Sequence, residues 1–205
     1  MSLAKISTIV MACAVLSACG SPDSIAMRNA PLDLGPGVEA GINTVSRDYN
    51  VVDLNFLAPA QLSVSERNGY YPMADIVWRG DAIGDRKEQI GALFQTAIDR
   101  NGAVLTGARD VVVDIQLSRF HGVTERVRYS IGGVYNIVFD MTVRDANTGA
   151  VIEPTRKVEA NLSAPGGTAA IQAEHAGQTE KVRVTDFLTM VLADELSGAT
   201  QLARR

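Results

Sequence analysis

Apolar and polar positions alternate most regularly in two stretches of the chain. Val111, Val113, Ile115 and Leu117 point one way, while Val112, Asp114, Gln116 and Ser118 point the other, the period of a half-buried strand. Tyr135, Ile137, Phe139, Met141 and Val143 alternate in the same way with Asn136, Val138, Asp140, Thr142 and Arg144. A third strand is expected from Tyr49 to Leu57, with Val52, Leu54 and Phe56 on one face, Asp53 and Asn55 on the other, and Pro59 as its stop. The short run Ala74 to Trp78 predicts another. Asp145-Ala146-Asn147-Thr148-Gly149 has the composition of a tight hairpin turn. Val151, Ile152, Arg156, Val158, Ala160 and Leu162 then form the returning strand, in which Pro154 needs an edge or bulge position because it has no N–H to donate.

The period changes to 3.6 between these strands. Ile90, Leu93, Phe94, Ala97 and Ile98 make one stripe, with Arg86, Lys87, Gln95, Asp99 and Arg100 off it. Asp85 caps the start of this helix, Glu88 completes a capping box, and Asn101-Gly102 stops it. A last helix is expected from about Thr179 to Leu196, with Phe187, Leu188, Val191 and Leu192 inward and Gly198 as its stop. Pro165-Gly166-Gly167 closes the sheet region before it. The order of strand, strand, helix, three strands and helix predicts an α+β fold: a mostly antiparallel sheet of about four to five strands with two amphipathic helices packed on one face.

The N-terminus follows a different pattern. Lys5 precedes an apolar run from Ile6 to Leu16, which is too short to span a ~30 Å hydrocarbon core. The run ends in Leu16-Ser17-Ala18-Cys19-Gly20, which resembles the lipobox of bacterial lipoproteins. That resemblance covers about the first twenty residues, and it implies cleavage before Cys19 and acylation of Cys19. Two or three acyl chains on one residue would hold the protein in a membrane, where a single chain binds only marginally. The expected organisation is a signal peptide over 1–18, the acylated cysteine and a tether over 19–47, and one domain over 48–205. The tether carries Pro22, Pro31 and Pro36 with Gly35, Gly37 and Gly41 and no sustained period. Its Gly35-Pro36-Gly37 has the wrong spacing for a phosphate loop. The chain's two cysteines are Cys13 and Cys19, so a chain cut before Cys19 has no internal disulfide. In lipoproteins an Asp after the cysteine signals retention at the inner membrane. Gly20 in that place implies the outer membrane, with the domain facing the periplasm.

The chemistry available is sparse. No serine lies on a nucleophile elbow, and the two histidines, His121 and His175, fall in polar regions read as exposed loops, outside any metal-binding spacing. We therefore expect no enzymatic activity and no cofactor. Asp114 and Asp140 occupy the polar faces of the two best strands, read as a solvated outer sheet face. Two groups are candidate partner-binding residues. Arg119, His121, Arg126 and Arg128, with Tyr129 beside them, form a basic cluster on what reads as a long hairpin loop, in a chain of net charge −4. Tyr70, Tyr71 and Trp78 gather around Pro72, as a cap on the core or as a binding patch. The acidic balance argues against nucleic acid. The expected partners are the membrane, through the N-terminal lipid, and an envelope protein.

The strand and helix order with a Thr-Gly turn is loosely similar to the accessory lipoproteins of envelope transport and assembly systems, and to uncharacterised alphaproteobacterial envelope lipoproteins. The resemblance implies a non-enzymatic accessory or assembly subunit. The alternative is a lipoprotein that binds a lipid or small apolar ligand between helices and sheet, near Phe94, Phe139 and Phe187.

The anchor is testable directly. Radiolabelled palmitate is expected to enter the wild-type chain and not Cys19→Ala; label retained by the variant would remove the lipid assignment.

Overall fold

A computed structural model describes residues 47–197. Cys19, the expected signal peptide, the segment up to residue 46 and the helix stop at Gly198 lie outside the described residues. The described chain is an α+β fold built on a mixed, mostly antiparallel five-stranded sheet. Its elements are β1 (Tyr49–Leu57), β2 (Ile76–Val77), α1 (Arg86–Asn101), β3 (Arg109–His121), α2 (Glu125–Arg128), β4 (Gly133–Asp145), β5 (Val151–Ala164), α3 (Thr168–His175) and α4 (Glu180–Ser197). The strand order is β1-β3-β4-β5, with β2 paired to the far end of β3. The β3/β4 and β4/β5 ladders are antiparallel, whereas β1 and β2 run parallel to β3. Parallel neighbours need a crossover, and α1 provides it between β1 and β3. Among the described residues no helix is long and apolar enough to cross a membrane.

The alternating stretches fold as their period predicts. Val111, Val113, Ile115 and Leu117 of β3, and Tyr135, Ile137, Phe139, Met141 and Val143 of β4, are all buried. β1 departs from strict alternation, because a bulge between Val51 and Asp53 inserts one residue. Val52 is thereby turned out to solvent while Leu54 and Phe56 keep their place over the core, which corrects the expectation for Val52. Pro154 lies on β5, an edge strand, and also within a register shift: Met141 pairs with Arg156 and Val143 with Glu153. Neither position asks it for an N–H. The expected strand at 74–78 shortens to Ile76–Val77, and Trp78 leaves the ladder to enter the core. The β4–β5 turn is held by the Asp145 carboxylate, which accepts from the Asn147 and Thr148 N–H groups at 3.1 and 3.0 Å, with Gly149 at φ +71°.

α1 begins where Asp85 accepts from the Lys87 and Glu88 N–H groups, and it buries the predicted stripe. Arg86 was expected off the stripe and is instead buried, since it stands one turn before Ile90 on the same face. α4 buries Val184, Leu188, Leu192 and Leu196, an i, i+4 row; Phe187 and Val191 sit partly buried at its margin. The two helices pack on each other, α1 over β1 and α4 towards β5. α2 and α3 were not expected. Four-residue α2 is set by its cap, Thr124 Oγ1 accepting from the Val127 N–H at 3.3 Å, and α3 buries only Ala170, so neither carries a hydrophobic stripe to recognise.

Three rings join the layers. Phe94 of α1 stacks on Phe56 at 5.2 Å and meets Phe139 edge-on at 5.2 Å. Phe94 and Phe139 are fully buried against each other at this boundary between helix and sheet, with Phe187 partly buried beside the core. Phe94→Ala is expected to cost about 3–5 kcal/mol of stability in urea unfolding, the range for a buried phenylalanine whose site cannot collapse. A loss below about 1 kcal/mol would mean that this contact does not hold the layers together.

Candidate functional site

The C-terminal end of β3 gathers the chemistry. There, Phe120 N–H donates to Asp75 O at 2.9 Å and, just past the strand, Gly122 N–H to Val77 O at 2.8 Å, so β2 and the segment before it are tied to this end of the sheet. Residues 63–76 form a closed loop: Ser65 N–H donates to Ile76 O at 3.0 Å and Ile76 N–H to Ser63 O at 2.9 Å. The Ser63 hydroxyl and N–H donate to the Asp75 carboxylate at 2.7 and 2.9 Å and hold its pKa below the usual carboxylate range. The tip of the loop is fastened to the start of α2, where Thr124 Oγ1 donates to Gly69 O at 2.8 Å and Arg126 N–H to Asn68 Oδ1 at 2.9 Å. A backbone held at both places keeps Tyr70, Tyr71 and Met73 outside, with Tyr71 87% and Met73 97% exposed. The Arg126 guanidinium lies 5.6 Å over the Tyr70 ring. Arg67, Asn68, Gly69, Tyr70, Tyr71 and Arg126 line an open depression of 330 Å³.

Behind this tip lies an ion cluster. The Arg86 side chain, 2% exposed, donates to both Glu66 oxygens at 2.6 and 3.0 Å, to the carbonyls of Asp81 and Ala82, and to Gln89 Oε1 at 2.8 Å. Arg79 reaches Glu66 Oε2 at 2.6 Å, Glu66 O at 2.7 Å and Glu125 Oε2 at 3.4 Å. The Arg86 hydrogen bond holds the Glu66 carboxyl below its ordinary range. Burial pushes the Asp81 carboxyl up, but Lys181 at 2.6 Å and the Trp78 indole N–H at 2.8 Å outweigh it and leave the net shift downward. On the α3 side, Arg128 pairs with Glu174 at 3.1 Å and with Glu180, and Tyr129 OH donates to Glu174 at 3.2 Å.

The predicted residues therefore separate. Arg126, Tyr70 and Tyr71 come together on the surface. Trp78 does not join the tyrosines: it is 0% exposed and packs edge-on against Phe120 at 5.6 Å. Arg128 is largely buried in its ion pairs, so it braces α3 and α4 rather than standing free. The basic cluster was expected on a hairpin loop, but β3 continues through Arg119 and His121, because pairing with β2 and β4 extends that far. Both are half-buried, and the His121 ring Nδ1 lies 3.0 Å from Ala74 O, correcting the reading of an exposed loop histidine. His175 is exposed, at the end of α3 rather than in a loop. Sequence reasoning missed Arg67 and Met73; their nearness to Asn68-Gly69 and Pro72 was the available signal. Asp114 accepts from Asn55 at 2.9 Å and pairs with Arg144 at 2.5 Å, and with Asp140 it borders the outer sheet face. Among the described residues no group of three or more His, Cys, Asp or Glu could hold a metal ion.

The model of the Family of unknown function (DUF6778) matches residues 49–205, and the chain belongs to that family. No curated protein matches its sequence. Among solved structures, a Xanthomonas campestris protein of family model DUF330 is 12% identical at a TM-score of 0.42, with 76% of this chain and 88% of that chain covered. A candidate lipoprotein from Caulobacter crescentus CB15 is 13% identical at a TM-score of 0.34, with 78% and 94% covered. These are distant likenesses of chain course.

Because the folded Glu66 carboxyl titrates below its unfolded value, its pairing stabilises above the ordinary carboxylate range and is lost as pH falls through it. Glu66→Gln is expected to lose about 1–2 kcal/mol near neutral pH, less than a fully buried pair because Glu66 is partly exposed. The difference from wild type should shrink as pH falls below the ordinary carboxylate range. Urea unfolding across pH measures both; a pH-independent difference would assign the loss to packing.

Proposed function

We propose that the chain is a membrane-anchored lipoprotein of the cell envelope, facing the periplasm, whose domain is a non-enzymatic accessory or assembly subunit of an envelope complex. The observation that carries this reading is the tip: two tyrosines and a methionine held in solvent by a loop that is hydrogen-bonded at its base and fastened at Asn68 and Gly69. Large side chains exposed on a fastened backbone serve contact with other molecules better than they serve the fold. The carboxylates around the tip support a non-catalytic role, since Glu66, Asp81 and Asp75 are each engaged by arginine, lysine or serine donors. Such pairing keeps carboxylates ionised and away from the raised pKa that general acids need. Leu16-Ser17-Ala18-Cys19 supports the anchor, and Gly20 after the cysteine supports the outer membrane.

Chemical crosslinking of native membranes, followed by purification through this chain, tests the proposal. A partner protein is expected in stoichiometric amount from wild type. Recovery of the chain alone, with a small-molecule turnover activity in the purified protein, would overturn it.

A further inference from the structure

We infer that the tip is a docking surface for an anionic phospholipid bilayer, so that the domain touches the membrane at a second point besides its anchor. This rests on the reading of the tip as a contact surface. Its composition suits the interface of a bilayer: Tyr70 and Tyr71 are amphipathic rings, Met73 is a fully presented apolar chain, and Arg67 and Arg126 flank them. Neither arginine has an ion-pair partner among the described residues, where most of the other cations are paired, and the chain's net charge is −4. Both arginines line the 330 Å³ depression, so a phosphate seated there meets two cations.

Size favours a bilayer over a protein as the occupant of the tip itself, and leaves the envelope partner of the proposed function to other faces of the domain. A stable protein interface buries about 800 Å² on each partner, from some 20–30 residues, and this tip presents three apolar side chains. A bilayer contact can be that small, because the anchor already holds the domain at high local concentration near the lipid. Geometry permits it. Tyr49, where the chain enters the sheet, pairs with Arg109 at the start of β3, whereas the tip lies beyond Phe120 and His121 at its other end. Thirteen-residue β3 is about 40 Å long. The chain between Cys19 and Tyr49 can span at most roughly 100 Å, so the far end of the sheet is within reach of the membrane that holds Cys19.

The test uses the full lipidated chain in liposomes with an environment-sensitive fluorophore on Met73→Cys, which leaves both tyrosines in place. The control label is on Val104→Cys, exposed in the turn before β3, at the opposite end of the sheet. In vesicles containing phosphatidylglycerol the label at 73 is expected to shift to the blue and to be quenched by a lipid-borne quencher, while the label at 104 stays in water. Both effects should weaken in pure phosphatidylcholine and at about 1 M salt, where the Debye length is ~3 Å. Arg67→Ser and Arg126→Ser should each lower the docked-to-free ratio about fivefold. A label at 73 that stays in water in anionic vesicles overturns the inference. If that label becomes buried only in native membranes, the tip contacts a protein, and the inference falls while the proposed function stands. If it stays in water there too, the tip is no contact surface and both fall.

Discussion

The pairing of Glu66 with Arg86 and Arg79 is the contact on which the tip depends. Arg86 is carried inside by the helical period, one turn before Ile90, and a guanidinium taken out of water has to find acceptors for its five N–H groups. Glu66 supplies two of them and can do so only if the loop that bears it closes against α1. The same carboxylate holds Arg79, which reaches on to Glu125 in α2. One acidic residue thus fixes the loop, the strand-to-helix turn and α2 with respect to one another. The position of Tyr70 and Tyr71 follows from that arrangement.

A second cluster does comparable work at the opposite end of the sheet. Buried Glu153 of β5 accepts from Arg47 at 2.7 and 3.0 Å, from Tyr49 OH at 2.7 Å and from Arg156 at 2.6 Å, and Arg156 also reaches Glu195 of α4 at 3.2 Å. Burial, with the Glu153 hydrogen bond after it, pushes the Tyr49 phenol up, so this phenol stays protonated and donating. β1 and β5 are the two edges of the main strand order, and Glu153 joins the first described residues to the far edge. The apolar layer between the two clusters, with Phe56, Phe94 and Phe139 in contact, supplies the main drive to fold. The ion clusters choose among arrangements that the apolar layer alone would tolerate. The two ends then differ in charge left over: Glu153 and its neighbours satisfy one another, whereas Arg67 and Arg126 stand at the tip beside exposed rings.

The sequence by itself determined the α+β class, the long strands β3 to β5, the stripes of α1 and α4, and the place of Pro154. Each rests on a local period or on the missing N–H of proline, and both can be read without knowing any neighbour. Only the tertiary structure decided the parallel pairing of β1 with β3, because pairing is set by the crossover through α1 and not by the strand's own residues. It also decided that Trp78 goes in while Tyr70 and Tyr71 stay out, that His121 ends a strand, and that Arg128 is consumed in ion pairs while Arg126 lies over the Tyr70 ring with no ion pair among the described residues. Two residues apart on one short helix, those arginines are alike in the sequence. Glu174 and Glu180, brought in from about fifty residues further along the chain, make them different.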